Sequence, residues 1–203
     1  MCCPTISPMQ EIAALVVFSF VSAATPGPNN VLLWASGAQF GFRRTLPHIA
    51  GTVVGIGALA LAVAAGIGAV VTGVPAVAVL MKMAGSAYLL YLAWQIALSG
   101  ALERADVSRP LSLLQAAAFQ WINPKGWIFA LGAVTTFRPP EVPVVIGSVA
   151  VAMTMMAVVV PSASLWAVAG GVVARILTKS RGRRIISLGL GATLVATVAL
   201  VWL

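Results

Sequence analysis

The 203-residue chain is 61% hydrophobic and 8% charged, with a mean hydropathy of +1.04. A water-exposed domain carries about 25% charged residues, so composition excludes a soluble globular protein and indicates an all-α integral membrane protein. Twelve Lys/Arg against four Asp/Glu give a net charge of +8; in so apolar a chain this reflects basic cytoplasmic loops rather than a nucleic-acid-binding surface.

Cys2 and Cys3 are adjacent and have no other cysteine to pair with, so no disulfide framework is expected. Residues 12–24 imitate a signal peptide that ends at Ser22-Ala23-Ala24. A signal peptide begins with a positive n-region, yet no Lys or Arg precedes Arg43, and Glu11 borders the apolar run. The segment is therefore expected to remain as the start of a first helix.

A membrane span needs about 20 mostly apolar residues, and six stretches qualify. The first, 9–35, is interrupted at Thr25-Pro26-Gly27-Pro28-Asn29-Asn30. The second, 47–72, is joined to the third, 74–98, by the turn Thr72-Gly73-Val74-Pro75. The fourth, 111–137, is interrupted at Asn123-Pro124-Lys125-Gly126. The fifth, 143–173, contains Pro161, where a kink is expected, and the sixth covers 185–203.

Charge sets the orientation. Arg43, Arg44, Arg104, Arg109, Arg175, Lys179, Arg181, Arg183 and Arg184 fall on one side, and only Arg138 falls in a loop on the other. Positive loops stay cytoplasmic, so both termini are expected outside. The chain reads as one transmembrane domain. Repeat one covers about 9–98, a cytoplasmic loop about 99–110, and repeat two about 111–203. Pro26 and Pro124 are 98 residues apart, and each opens a group of three spans. Three is odd, so the second group runs upside down relative to the first, as in an inverted-topology repeat.

The two breaks are the candidate site. Proline removes a helix hydrogen bond. In lipid, the freed carbonyls persist only where protein or a water-filled cavity surrounds them. Matched interruptions in two halves point to a transporter's binding site. Pro26, Gly27, Pro28, Asn29 and Asn30 from the first break, and Asn123, Pro124 and Lys125 from the second, are the expected substrate and translocation residues. Lys125 lies some fourteen residues into its span, too far to snorkel easily. It suits a substrate carboxylate and is one candidate for proton coupling. His48 is the other, since its ordinary titration near pH about 6.5 suits proton transfer, although its place beside Arg43 and Arg44 favours an interfacial role. Lys82 is expected to pair with Glu11 or Glu141. Trp121 and Trp127 flank the second break and are placed against a cavity. Gly37, Gly41, Gly51, Gly55 and Gly57 have the small-residue spacing of close helix packing. The sequence holds no Walker loop, metal cluster or nucleophile–base pair, so no cofactor, metal or enzyme chemistry is expected.

At these motifs the chain resembles the LysE/RhtB superfamily of bacterial amino-acid exporters. The resemblance rests on Pro26-Gly27-Pro28-Asn29, Asn123-Pro124-Lys125, Gly37, Gly41-Phe42-Arg43, Gly51/Gly55 and the stretch Lys82-Met83-Ala84-Gly85-Ser86-Ala87-Tyr88-Leu89. It implies proton-driven export of an amino acid or derivative across the bacterial inner membrane. The implied partners are an amino-acid-like small molecule, protons and the lipid bilayer, with a second copy of the chain as a candidate homodimer partner. Asn29 stands where many members carry Asp, and Ile56 where many carry a polar or acidic residue, so the proton carrier stays unassigned. The absence of deep acids favours neutral amino acids. Two rivals are a passive channel and a thiol–disulfide transducer; the latter needs cysteines within the first and fourth spans, which this chain lacks. The topology makes a checkable prediction: a C-terminal reporter active only in the cytoplasm stays silent, and strong activity overturns the orientation.

Overall fold

A computed structural model describes residues 8–98, 109–176 and 180–202. Cys2, Cys3, Arg104, Lys179 and most of the expected loop over 99–110 lie outside the described residues. Among the described residues all regular structure is helical: α1 Pro8–Ala24, α2 Pro28–Phe40, α3 Phe42–Ala64, α4 Ile67–Gly73, α5 Pro75–Leu98, α6 Leu113–Ile122, α7 Pro124–Phe137, α8 Val144–Ile176 and α9 Ser180–Trp202. Two of them, α3 and α8, are long and apolar enough to cross a membrane. The broken pair α1 and α2, bent by 63°, makes a third span if counted as one.

Both expected interruptions are present, between α1 and α2 and between α6 and α7. The boundaries around the second stretch differ from expectation. Its helix begins at Phe42 rather than near Pro47, because Gly41, at φ +78, turns the chain at the end of α2 and α3 starts at once. Pro47 sits in the second turn of α3, where it removes one bond to the preceding turn and leaves the helix intact. The same stretch is not continuous. Gly66, at φ +99, follows the end of α3, and the chain resumes as the short α4. That conformation is open to glycine at little cost. Pro161, by contrast, does not interrupt α8.

The tightest packing joins α2 to α8 and α3 to both α6 and α8, while α5 pairs with α9. Backbones touch at the first two of these contacts because side chains are missing there. A β-carbon on Gly37 would lie 1.9 Å from the Ala167 carbonyl oxygen, and one on Gly170 would lie 2.0 Å from that of Trp34. Across α3 and α6, a β-carbon on Gly51 would come within 2.2 Å of the Leu113 oxygen, and one on Gly55 within 2.8 Å of Ala117 backbone. The small-residue pattern therefore marks real helix contacts at Gly37, Gly51 and Gly55. Gly41 is different: nothing lies within 4 Å of its would-be β-carbon, and its role is conformational. Lys82 also differs from expectation, since its Nζ lies 5.8 Å from the centre of the Trp202 ring. That cation–π contact ties α5 to α9, and Trp202 Nε1 adds a 2.8 Å bond to Ser86 Oγ.

These contacts predict a steep cost for added volume. Gly37→Val drives a side chain into backbone and should destabilise the protein by roughly 1–3 kcal/mol or more, read as a fall in the thermal midpoint in detergent. Gly73→Ala, where the neighbourhood is empty, serves as the control and should leave that midpoint nearly unchanged.

Candidate functional site

The site begins with backbone accounting. Buried or lipid-facing carbonyls need donors, and the two proline breaks leave several without helical partners. At the first break, Gly27 is fully extended and the helix restarts at Pro28. Asn30 answers the loss: its Nδ2 donates to the Ala23 carbonyl at 2.8 Å and the Thr25 carbonyl at 2.7 Å. Both amide protons are thereby used, so Asn30 holds the break together.

At the second break, Ser112 and Gln115 form a capping box that starts α6, and Asn123 ends that helix in an extended conformation. The Trp121 carbonyl, released there, accepts from Trp127 Nε1 at 2.9 Å. The two indoles meet edge to face at 6.0 Å. Both tryptophans thus brace the break, and neither lines the cavity described below, contrary to the expectation from sequence.

The breaks meet each other. Lys125 reaches from the start of α7 to the Thr25 carbonyl at the first break and donates a hydrogen bond to it. Its stem crosses bare Gly27, where a β-carbon would lie 2.7 Å from Lys125 Cδ and 3.2 Å from Nζ. Because φ at Gly27 is −174°, any residue could adopt that backbone; glycine is needed there for space. A second link runs through Gln120, which was not singled out from sequence. Its Nε2 donates to Asn29 Oδ1 at 2.9 Å and to the Ala116 carbonyl at 3.3 Å, while its Oε1 accepts from Asn123 Nδ2 at 3.3 Å. Thr52 of α3 donates to the same Asn29 oxygen at 3.1 Å. A glutamine one turn before an Asn-Pro break, on a helix flank rich in Ala, was the available signal.

These side chains surround a small cavity that is open at its mouth. Gly27, Asn29, Asn30, Asn123 and Lys125 all line it, joined by Ser22, Thr52, Gln120 and Ser162. Pro26, Pro28 and Pro124 shape the breaks without lining the cavity. Apolar walls come from Ile56, Phe129 and Val159. Among the described residues, one cation and no acid faces this space, and no cluster suited to a metal ion occurs. His48 lies elsewhere on α3. It is 1% exposed, with neither ring nitrogen hydrogen-bonded, so it is a core residue and not the interfacial one expected. It stands one turn from Thr52, and Thr45, one turn the other way, lies 3.1 Å from Ser36 of α2.

Broken helices that meet around a polar cavity within a membrane bundle define a translocator. The chain belongs to the LysE type translocator family, which matches it over residues 20–202. It is 30% identical over 175 residues to the cysteine/O-acetylserine efflux protein of Escherichia coli K12, covering 86% of this chain and 89% of that protein. The similarly named protein of Shigella flexneri serotype 5b matches to the same extent. No solved structure matches the chain.

Asn30 commits both amide protons to backbone, so its expected role is structural. Replacing Asn30 with Ala strands two carbonyls and should lower stability by roughly 2 kcal/mol or more, with the substrate affinity of the surviving protein little changed. Thermal unfolding and binding, measured on the same preparation, check this; a selective loss of affinity would return Asn30 to the binding set.

Proposed function

We propose that this translocator exports a neutral amino acid or a close derivative from the cytoplasm across the bacterial inner membrane. The observation that carries the reading is the cavity between the breaks. It combines one ammonium, four amides and three hydroxyl side chains with apolar walls, and among the described residues no acid faces it. An α-amino acid offers a carboxylate for Lys125 and polar groups for the amides. A second cation, as in lysine or arginine, would find no counter-charge. The curated relatives named for cysteine and O-acetylserine efflux agree with a small neutral substrate.

Six spans in two inverted repeats account for the packing. Span one (α1, α2) lies against span five (α8), as span four (α6, α7) lies against span two (α3). Spans two and five pack together, as do three and six. A two-fold exchange of the halves maps this pattern onto itself. The backbone contacts at Gly37 and Gly51 both sit near the ends that carry Arg43, Arg44, Arg109 and Arg175. With the positive ends cytoplasmic, both termini face outward and the bundle is drawn together on the cytoplasmic side. Rocking of the halves about the breaks would open that side and close the other.

Energy would come from the proton gradient. Lys125 and His48 are the ionisable groups within the bundle placed to carry a proton, one at the cavity and the other buried a turn below Thr52. Everted vesicles or proteoliposomes with an imposed pH gradient test this directly. Lys125→Gln should abolish transport of labelled substrate while the protein still inserts, and His48→Gln should lose uphill movement but keep downhill exchange. Transport that proceeds only downhill in the wild type identifies a passive channel; unchanged transport by Lys125→Gln removes that lysine from the mechanism.

A further inference from the structure

The hydrogen-bond chain through Gln120 has a direction, and backbone determines it. A carbonyl can only accept, so the Gln120 atom facing the Ala116 oxygen is the amide nitrogen. That nitrogen also faces Asn29, so the Asn29 atom must be its oxygen. Gln120 then has its own oxygen left, which must meet the Asn123 nitrogen. No choice of amide orientation remains open along the chain. Each asparagine consequently turns its other atom away from Gln120. Asn29 keeps Nδ2 free of protein partners among the described residues and lines the same cavity as Lys125. Asn123, only 4% exposed, keeps an Oδ1 that is buried with no partner. Ser162 of α8, 2% exposed and lining the same cavity, has a hydroxyl in the same condition.

Buried polar atoms without partners cost free energy, and here two such oxygens belong to residues that line one cavity. We propose that Gln120 is a positioning residue that polarises the site. It commits Asn29 to donate, together with Lys125, to a carboxylate, and it commits Asn123, together with Ser162, to accept from an ammonium. The substrate class is therefore a zwitterion, whose ammonium is recognised as well as its carboxylate. This rests on the amino-acid reading above and sharpens it. Neutral acceptors suit an ammonium that arrives with its own carboxylate; a lone amine would meet the Lys125 charge without compensation.

The test compares cysteine, kept reduced, with 3-mercaptopropionate, which is the same molecule without its ammonium. Each competes against labelled cysteine in proteoliposomes of the wild type, Gln120→Met and Ser162→Ala. Leaving two buried oxygens unanswered should make 3-mercaptopropionate weaker on the wild type by roughly tenfold or more. Gln120→Met should raise the KM for cysteine more than it lowers the maximal rate, and should shrink that preference towards parity. Ser162→Ala should reduce the preference in part, and it serves alone if Gln120→Met does not insert. Equal competition by both compounds on the wild type overturns the ammonium site but leaves amino-acid export standing. A preference that survives Gln120→Met in folded protein, with Ser162→Ala also unchanged, overturns the positioning role. No cysteine or other neutral amino-acid transport by the wild type rejects the underlying functional reading instead.

Discussion

Everything at the centre of this protein follows from carbonyl groups that proline has released at membrane depth. A helix satisfies its own backbone, and that is why helices can cross lipid. Pro26, Pro28 and Pro124 break that self-sufficiency twice, and the chain must supply donors from side chains. Asn30 serves the carbonyls of Ala23 and Thr25, Trp127 serves that of Trp121, and Lys125 crosses from one break to the other to reach Thr25. The last of these places a cation in the cavity. Under the proposed function a substrate carboxylate competes for that lysine, and binding and repair use the same atoms.

The two breaks contribute unequally. The first brings Asn29 and a bare Gly27 that makes room for the lysine stem; the second brings Lys125, Asn123 and, one turn earlier, Gln120. Neither break alone supplies the cavity's polar lining. The cavity forms where the two breaks meet, and any motion of one against the other must change the Gln120–Asn29 and Lys125–Thr25 links. Backbone contacts at Gly37 and Gly51 hold the halves close on the arginine-bearing side. Packing and chemistry are therefore coupled through the same pair of broken helices.

Much of this was legible in the residues. Proline in a long apolar stretch has few local readings, so the breaks and their partnership could be read directly, and the lysine beside the second break stood out by its cost. Helix boundaries around Gly41 and Gly66 were less visible, because an apolar run does not reveal where a glycine takes positive φ. Gln120 escaped notice because a single amide in a helix is ordinary; what distinguishes it is a partner 91 residues away. His48 was misplaced for a related reason. Its flanking arginines suggested an interface, but α3 begins early enough to carry it inside the bundle. Asn30 and Asn29 are adjacent, chemically identical and both at the cavity, yet only Asn30 spends its amide protons on backbone, a division that sequence does not reveal.

The position of bound substrate in an experimentally determined complex tests the central claim most directly. A neutral amino acid should lie between the breaks, its carboxylate against Lys125 and Asn29 and its ammonium against Asn123 and Ser162. Lys125 should have exchanged at least part of its bond to the Thr25 carbonyl for the substrate. Substrate bound elsewhere, with the Lys125–Thr25 link unchanged, would contradict the account.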